Sequence, residues 1–384
     1  MTLLLESTNH LYWHVGRSLG READTSTTLR SAVQMKTDNT ALKKVVIHKA
    51  GSYDRLRFET QPLPKMGPDD VLVSVRAIGV NYADVVVRMG LYQSAKDYVG
   101  WPITPGFEFA GEVEAVGTAV TGHRVGDRVF GVTRFGGYAT HIAVPQTQLF
   151  PIPSGMSFEQ AAGFPAVFLT AYFALHELAH PRSGDTLLIH SAAGGVGGSL
   201  VQLGKAAGCR VVGVVGSSHK VKVAEQMGAD VVIDKSVDDL WSSAALHAPD
   251  GYDVIADANG VATLKQSYNH LRPAGRLVVY GFHTMMPKKG GRPNWFKLAW
   301  DYLRTPRFNP LDMTNENKNV MAFNLSYLFE HNDMLQRAMG DMVGWLKDGR
   351  IAPPPTTSYP FEQVAQAHQD IESGQTTGKL VLIP

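Results

Sequence analysis

Between an apolar run, Thr186-Leu187-Leu188-Ile189-His190, and a helix-like stretch, Val196 to Ala207, lies Ser191-Ala192-Ala193-Gly194-Gly195-Val196-Gly197-Gly198. Residues without side chains let a backbone turn sharply and press against a phosphate. The helix that follows offers unpaired N–H groups and the positive end of its dipole to that anion. The spacing therefore predicts a dinucleotide pyrophosphate held at Ala193, Gly194, Gly195 and Val196. The next strand-like run, Arg210 to Gly216, is followed by Ser217-Ser218-His219-Lys220. A site for an unphosphorylated ribose places an acid here. This stretch has none, and Ser217 and Lys220 suit a ribose 2′-phosphate, which selects NADPH over NADH. Ser217 or Ser218 capping the next helix is compatible with that role.

The elements around this loop alternate. Val231-Val232-Ile233, Val254-Ile255-Ala256 and Leu277-Val278-Val279-Tyr280 are short apolar strands separated by helical stretches. That pattern predicts a parallel sheet covered on both faces, a doubly wound fold. Upstream, Val71, Val73, Val75 and Ala77 alternate with other residues, as on a half-buried antiparallel strand. Gly111 to Gly117 and Val129-Phe130-Gly131 read the same way, so residues from about 42 to 160 predict a turn-rich β-barrel. Near the C-terminus Phe361, Val364, Ala367 and Ile371 share a helix face, Gly374 ends that helix, and Lys379 to Ile383 is a final strand.

Composition narrows the function. Of 384 residues, 44% are hydrophobic and 18% charged, enough for two cores. The net charge of +1 supplies no electrostatic reason to expect a nucleic acid or an anionic membrane as main partner. The single cysteine, Cys209, excludes an intrachain disulfide and any zinc site built on two cysteines. It fits a reducing cytoplasm. The stretch from Met1 to Asp38 is rich in Ser, Thr, Asn and charge without a clear period, and is expected to be a flexible extension.

Several segments resemble one family in the same order. They are Gly79-Val80-Asn81-Tyr82-Ala83-Asp84 through Tyr92, Pro105-Gly106-Phe107-Glu108, the glycine loop, and Gly378-Lys379-Leu380-Val381. Together they resemble the zinc-independent quinone oxidoreductases of the medium-chain dehydrogenase/reductase superfamily. Phe308-Asn309-Pro310, Glu316-Asn317-Lys318 and Phe323 to Leu328 most resemble the synaptic-vesicle amine-transport-protein homologues within it.

The resemblance implies a GroES-like β-barrel catalytic domain at 43–164 and 318–384. It implies a Rossmann NADPH-binding domain at 165–317. The aromatic and basic segment at 284–310, which the family pattern does not explain, is read as an insertion in that domain, and 1–42 as a flexible N-terminal extension. The homologous zinc alcohol dehydrogenases carry cysteine where Asn81 stands and histidine where Phe107 stands, so no metal site is expected. The implied reaction is hydride transfer from NADPH to quinones or α,β-unsaturated carbonyls. Asn81 and Tyr92 are the implied polar groups on the substrate side. Thr170, Asn259, Gly281, Phe282 and Lys379 are implied to line the cofactor, and a homodimer is implied as the assembly.

The competing readings are an NADPH-binding structural or membrane-associated protein with little turnover, and a zinc alcohol dehydrogenase. Asp84 and Arg88, four apart, are read as a surface or inter-helix pair. Glu108 is read as structural. In the insertion, Trp295, Ala299 and Tyr302 share a helix face with Phe296, Trp300 and Leu303 beside it. Packing on its own domain or a dimer partner is the first reading of that face. A lid over the substrate is the second and a membrane-surface helix the third.

Overall fold

The computed structural model describes residues 41–384. The extension read over 1–38 lies outside them. Among the described residues, fifteen strands form three sheets. Strands β1 (Ala41–Val46) and β2 (Arg57–Pro62) make an antiparallel ribbon. The barrel sheet is built from β3 (Asp70–Val80), β4 (Glu108–Val116), β5 (Arg128–Val132), β6 (His141–Pro145) and β7 (Leu149–Pro151). The Rossmann sheet takes β8 (Thr186–His190), β9 (Arg210–Val215), β10 (Val231–Asp234), β11 (Tyr252–Asp257), β12 (Leu271–Val279) and β13 (Asn319–Ala322). The chain then returns to the barrel with β14 (Thr356–Pro360) and β15 (Lys379–Ile383), giving the order β14-β15-β3-β4-β5-β7, with β6 also on β3.

The six Rossmann strands are parallel in the order β10-β9-β8-β11-β12-β13. The order reverses between β8 and β11, so the crevice at their carboxyl ends is where a ligand binds in such sheets. Two expectations change here. Asn319–Ala322 pairs with β12, so the return to the barrel falls after residue 322 and not at 318. Strand β3 alternates only in its middle, from Val73 to Ala77, with Ser74 and Arg76 outside, and Leu72 near its start is buried as well. Ala77, Ile78 and Val80 are all buried, because the helix Phe158–Ala162 covers this end of the strand.

One apolar core joins the halves. Phe130 of the barrel meets Phe164, whose ring stacks on Phe168 at 4.4 Å between centroids. These side chains and Val167 pack with Leu187, Ile189 and Leu200 of the Rossmann domain. Each fully buried side chain of this size contributes about 1.5–3 kcal/mol, so the junction is held by packing as well as by the chain.

The Asp84–Arg88 pair does not form, and neither residue is on the surface. Both are fully buried, and the Arg88 guanidinium bonds Glu372 of the helix Val364–Ser373 at 3.0 Å. Tyr53 lies against the guanidinium at 4.4 Å. The insertion forms the helix Trp295–Arg304, capped by Asn294, but its aromatic face is not packed on the domain.

Removing one partner of a fully buried ion pair strands the other charge. Glu372→Ala is therefore expected to cost about 3–5 kcal/mol of stability, read from equilibrium urea unfolding. A loss no larger than that of an exposed carboxylate would contradict the burial of this pair.

Candidate cofactor and substrate site

The glycine loop begins where β8 ends. Ser191 takes φ of 58°, and a Cβ on Gly197 would lie 2.1 Å from the Ser191 carbonyl oxygen. No side chain fits there, which is what lets the helix Gly195–Ala206 start against the turn. Its first-turn N–H groups, at Gly195, Val196 and Gly197, have no carbonyl one turn back within the helix. The loop is pinned from the far end of the chain. The Gly378 N–H donates to the Ala193 carbonyl at 2.9 Å, and Gly194 pairs with Gly378. A Cβ on Gly195 would lie 2.9 Å from Val167, so the helix Pro165–Tyr172 closes on the same loop.

At the end of β9, Ser217 precedes a single helical turn, Ser218–Lys220, without a side-chain cap. Lys220 donates to the Gly374 carbonyl at 2.6 Å, and His219 lies 3.1 Å from the Gln375 carbonyl. The acid absent from this stretch arrives from the neighbouring strand. Asp234, ending β10, accepts from the Ser218 hydroxyl at 2.5 Å and from Ser236 at 2.6 Å, bonds that hold its carboxyl below the usual range. Its oxygens are thus committed to hydroxyls within the protein. Lys235 comes with it and was missed in the sequence, since it lies outside the expected segment. It runs beside Gly216, and together with partial burial it lowers the pKa of Lys220. Two cations converging in this way favour an anion.

Past the switch point, Asp257 ends β11 fully buried. It accepts from the N–H groups of Asn259 and Gly260 and from the hydroxyls of Thr263 and Ser267, the last at 2.8 Å. His190 meets Ser267 at 3.1 Å, and burial lowers its pKa. Asn259 is 1% exposed, yet neither its Nδ2 nor its Oδ1 has a partner. An unpaired buried amide costs roughly 1–3 kcal/mol per group, so a ligand that supplied both bonds would recover that loss. Gly281 packs on Ala258 and Phe282 on Gly260, at the same edge of the sheet.

On the barrel side three polar groups meet. Asn81 donates through Nδ2 to Glu108 Oε1 at 2.8 Å. The Lys379 ammonium reaches Asn81 Oδ1 and Glu108 Oε1, each at 2.5 Å. Glu108 Oε2 accepts the Ala166 N–H at 2.7 Å. Both charged side chains are buried. A Cβ on Gly79 would lie 2.3 Å from Glu108 Oε1, so glycine there makes room for the carboxylate. Glu108 is therefore the centre of the cluster, more than the structural residue its position suggested. Its signal lay in the glycine–glutamate segment already noted.

Thr170 borders this cluster, and Tyr92 is held by other partners. Thr170 donates to the Ala166 carbonyl, one turn from Glu108's partner. The Tyr92 hydroxyl donates to Asn324 at 2.9 Å, and its ring packs edge-on against Phe107 and Phe135. Tyr92 and Asn81 share no hydrogen bond. Burial raises the Tyr92 pKa, so its phenol stays protonated at neutral pH. Among the described residues no three His, Cys, Asp or Glu side chains converge as a metal group would require.

Sequence profiles match both halves. One, described as "Alcohol dehydrogenase GroES-like domain", covers residues 67–154, and another, "Zinc-binding dehydrogenase", covers residues 227–382. The human "Synaptic vesicle membrane protein VAT-1 homolog" is 32% identical over 350 residues, covering 89% of this chain and 86% of that protein. The chain belongs to the medium-chain dehydrogenase/reductase superfamily. Within that superfamily it is close to the VAT-1 homologues and to quinone oxidoreductases of known structure. The Escherichia coli quinone oxidoreductase complexed with NADPH matches with a TM-score of 0.77 and 26% identity, over 89% of this chain and 100% of that one. The Pseudomonas syringae quinone oxidoreductase matches with 0.76 and 29%, over the same shares. Like them, this member of the superfamily joins a GroES-like barrel to a Rossmann sheet.

Asp84 lies beneath Asn81, accepting its N–H at 2.8 Å, the Gly106 N–H and the Tyr138 hydroxyl. Burial nonetheless pushes its carboxyl up to about 7. The folded state thus holds a proton that the unfolded chain releases near its ordinary pKa of about 4. Stability from this group is full below that value and is lost as pH rises to about 7. Relative to Asp84→Asn, the parent should lose up to about 1.4 kcal/mol per pH unit in that window. Urea unfolding of both proteins across pH checks this, and parallel curves would contradict it.

Proposed function

We propose that this chain is an NADPH-dependent oxidoreductase that reduces quinones or α,β-unsaturated carbonyls without zinc. The observation that carries the reading is the direct link, Ala193 to Gly378–Lys379 to Asn81, between the glycine loop and the barrel-side amide. The partnerless Asn259 amide at the switch point supports a ligand there. The NADPH complexes among the superfamily's solved structures support the cofactor, and the name quinone oxidoreductase supports the substrate class. The cytoplasm and a homodimer belong to the same proposal.

The residues fit the cofactor. The first turn of the helix Gly195–Ala206 would face the pyrophosphate. Ser217, Lys220 and Lys235 would face the 2′-phosphate, while Asn259, Gly281, Phe282 and Thr170 would line the rest. NADPH, when bound, supplies a hydride. The chain's own part is to orient the acceptor and to stabilise negative charge on its oxygen.

Asn81 is set up for that task. Its Oδ1 is held by the Lys379 ammonium and one Nδ2 hydrogen by Glu108. The amide is thereby fixed with a second N–H to give. The same bonds make it a poor zinc ligand, because its only donor oxygen already faces a cation. Tyr92 can give its phenol hydrogen by exchanging Asn324 for substrate. A preorganised donor of this kind stabilises developing oxyanion charge. Water can supply the final proton, since neither donor needs to ionise.

The test is a steady-state NADPH-oxidation screen against ortho-quinones, para-quinones and enals, with and without exhaustive chelation. Turnover that survives chelation is expected. Tight NADPH binding without turnover on any acceptor would favour a binding protein, and activity restored only by zinc would overturn the metal-free reading. On the best acceptor, Asn81→Ala and Tyr92→Phe should each lower kcat/KM roughly 10–1000-fold with NADPH affinity little changed. Lys220→Ala should weaken NADPH by about 1.5–3 kcal/mol and leave NADH nearly unaffected. Equal effects on both cofactors would remove Lys220 from the phosphate site.

A further inference from the structure

The segment after β12 makes an excursion from the Rossmann domain to the barrel and back. It leaves the sheet at Gly281 and Phe282, which pack on Ala258 and Gly260. The His283 N–H donates to the Ala258 carbonyl at 3.0 Å. Thr284 gives both its N–H and its hydroxyl to the Asn259 carbonyl, at 3.1 and 2.6 Å. Further on the chain touches the barrel, where the Gly290 carbonyl accepts from the Ser52 hydroxyl at 3.0 Å. Gly291 is buried with φ of 64°, and a Cβ there would lie 2.7 Å from both Arg88 Nη1 and Ser52 Oγ. Only glycine combines that backbone conformation with so close an approach. The chain then turns back, and Lys297 bonds the Thr284 carbonyl at 2.6 Å, closing the excursion at its base.

Both ends of the excursion meet one helix of the barrel, Tyr82–Arg88. At its first residue, the His283 ring meets the Tyr82 ring edge-on at 6.1 Å, a favoured aromatic arrangement. Burial lowers the His283 pKa, so this ring packs as a neutral group. At the helix's last residue, Gly291 seats on Arg88 and on the Tyr53 ring. Burial and the neighbouring Glu372 carboxylate push the Tyr53 phenol up to about 12, so it stays protonated beside the Arg88–Glu372 pair. The same helix starts at Asn81, whose N–H is held by Asp84. A segment that begins beside Gly281 and Phe282 thus grips the helix that carries the barrel-side amide. Lys379 fixes which way that amide points. The excursion fixes where it stands relative to the residues that would flank the nicotinamide. Hydride transfer needs its reacting atoms within about 3–3.5 Å, and a displacement of about 1 Å costs on the order of 100-fold in rate.

We propose that residues 283–291 are an interdomain clasp, with His283 and Gly291 as positioning residues that set Asn81 against the nicotinamide for hydride transfer. The clasp rests on the oxidoreductase reading above. Each of the two residues acts through the helix Tyr82–Arg88, His283 on its first side chain and Gly291 on its last. The ring of His283 is needed for its shape, and its nitrogens take no part in the chemistry.

The test is a single-turnover stopped-flow measurement on the full chain, with enzyme in excess over NADPH and the best acceptor from the screen at saturation. The hydride step is the absorbance phase that slows with NADPH deuterated at the transferred position of C4. His283→Ala combined with Ser52→Ala should lower the rate constant of that phase roughly 10–100-fold, with its amplitude and the affinity for NADPH little changed. Neither side chain is fully buried, so this variant should keep the parental unfolding curve. His283→Phe, which keeps a ring against Tyr82, should recover most of the loss. Gly291→Val, which has no room beside Arg88, should slow the phase at least as much. Variants with the parental rate constant overturn the clasp. So does a smaller amplitude at the parental rate, which marks lost folded protein and no lost position. A His283→Phe variant as slow as the alanine one overturns it too, because the ring nitrogen would then have a chemical role. A parent that turns over no acceptor overturns instead the oxidoreductase reading on which the clasp rests.

Discussion

A lysine cannot be buried without a partner, and this fold is organised around one that is. Lys379 stands at the start of the last strand, between Glu108 from the barrel and Asn81 at the mouth of its first helix. Stripping either charge would leave the other unpaired in a dry environment, at a cost of several kcal/mol. The chain must therefore bring its C-terminus back across the molecule to β3, and Gly79 must lack a side chain so that Glu108 has room. Because Gly378 precedes the lysine, the same return presses a backbone N–H onto Ala193 and fixes the glycine loop. One ion pair thus sets the relation between the loop where a cofactor would sit and the amide that would meet an acceptor.

The Rossmann side is built on a second buried polar group. Asp257 gathers two N–H groups and two hydroxyls under the carboxyl ends of the strands, with His190 kept neutral by burial at its back. This network spends its bonds internally and so holds the turn rigid. Asn259, two residues on, is left with its whole amide unpaired. A rigid turn beside an unsatisfied amide is what a preformed ligand site requires.

Much of this was legible in the residues because it is local. Apolar runs placed β8 and β15 with the bounds observed, and the small residues after His190 marked the loop. What escaped was non-local. Asp234 and Lys235 lie one strand beyond the segment where the 2′-phosphate contacts were sought, and only sheet order brings them beside Ser218 and Gly216. Arg88 finds Glu372 across 284 residues, which no helix periodicity can show. Asn319–Ala322 looked like a return to the barrel because a four-residue edge strand carries little pattern of its own. The aromatic stripe of 295–304 was legible as a stripe, but periodicity does not say which face looks outward. That is decided by Asp301, a single acid pulled inward by Lys297.

The central claim is that the loop and the barrel cluster together serve hydride transfer to a conjugated acceptor, with no acid residue required. Isotope tracing tests it most directly. NADPH carrying deuterium at the transferable position of C4, incubated with an enal in light water, should leave deuterium on the β-carbon of the product. Unlabelled NADPH in heavy water should instead place it on the α-carbon. A β-carbon labelled from solvent, or no reduced product from a protein that binds NADPH tightly, would contradict the account.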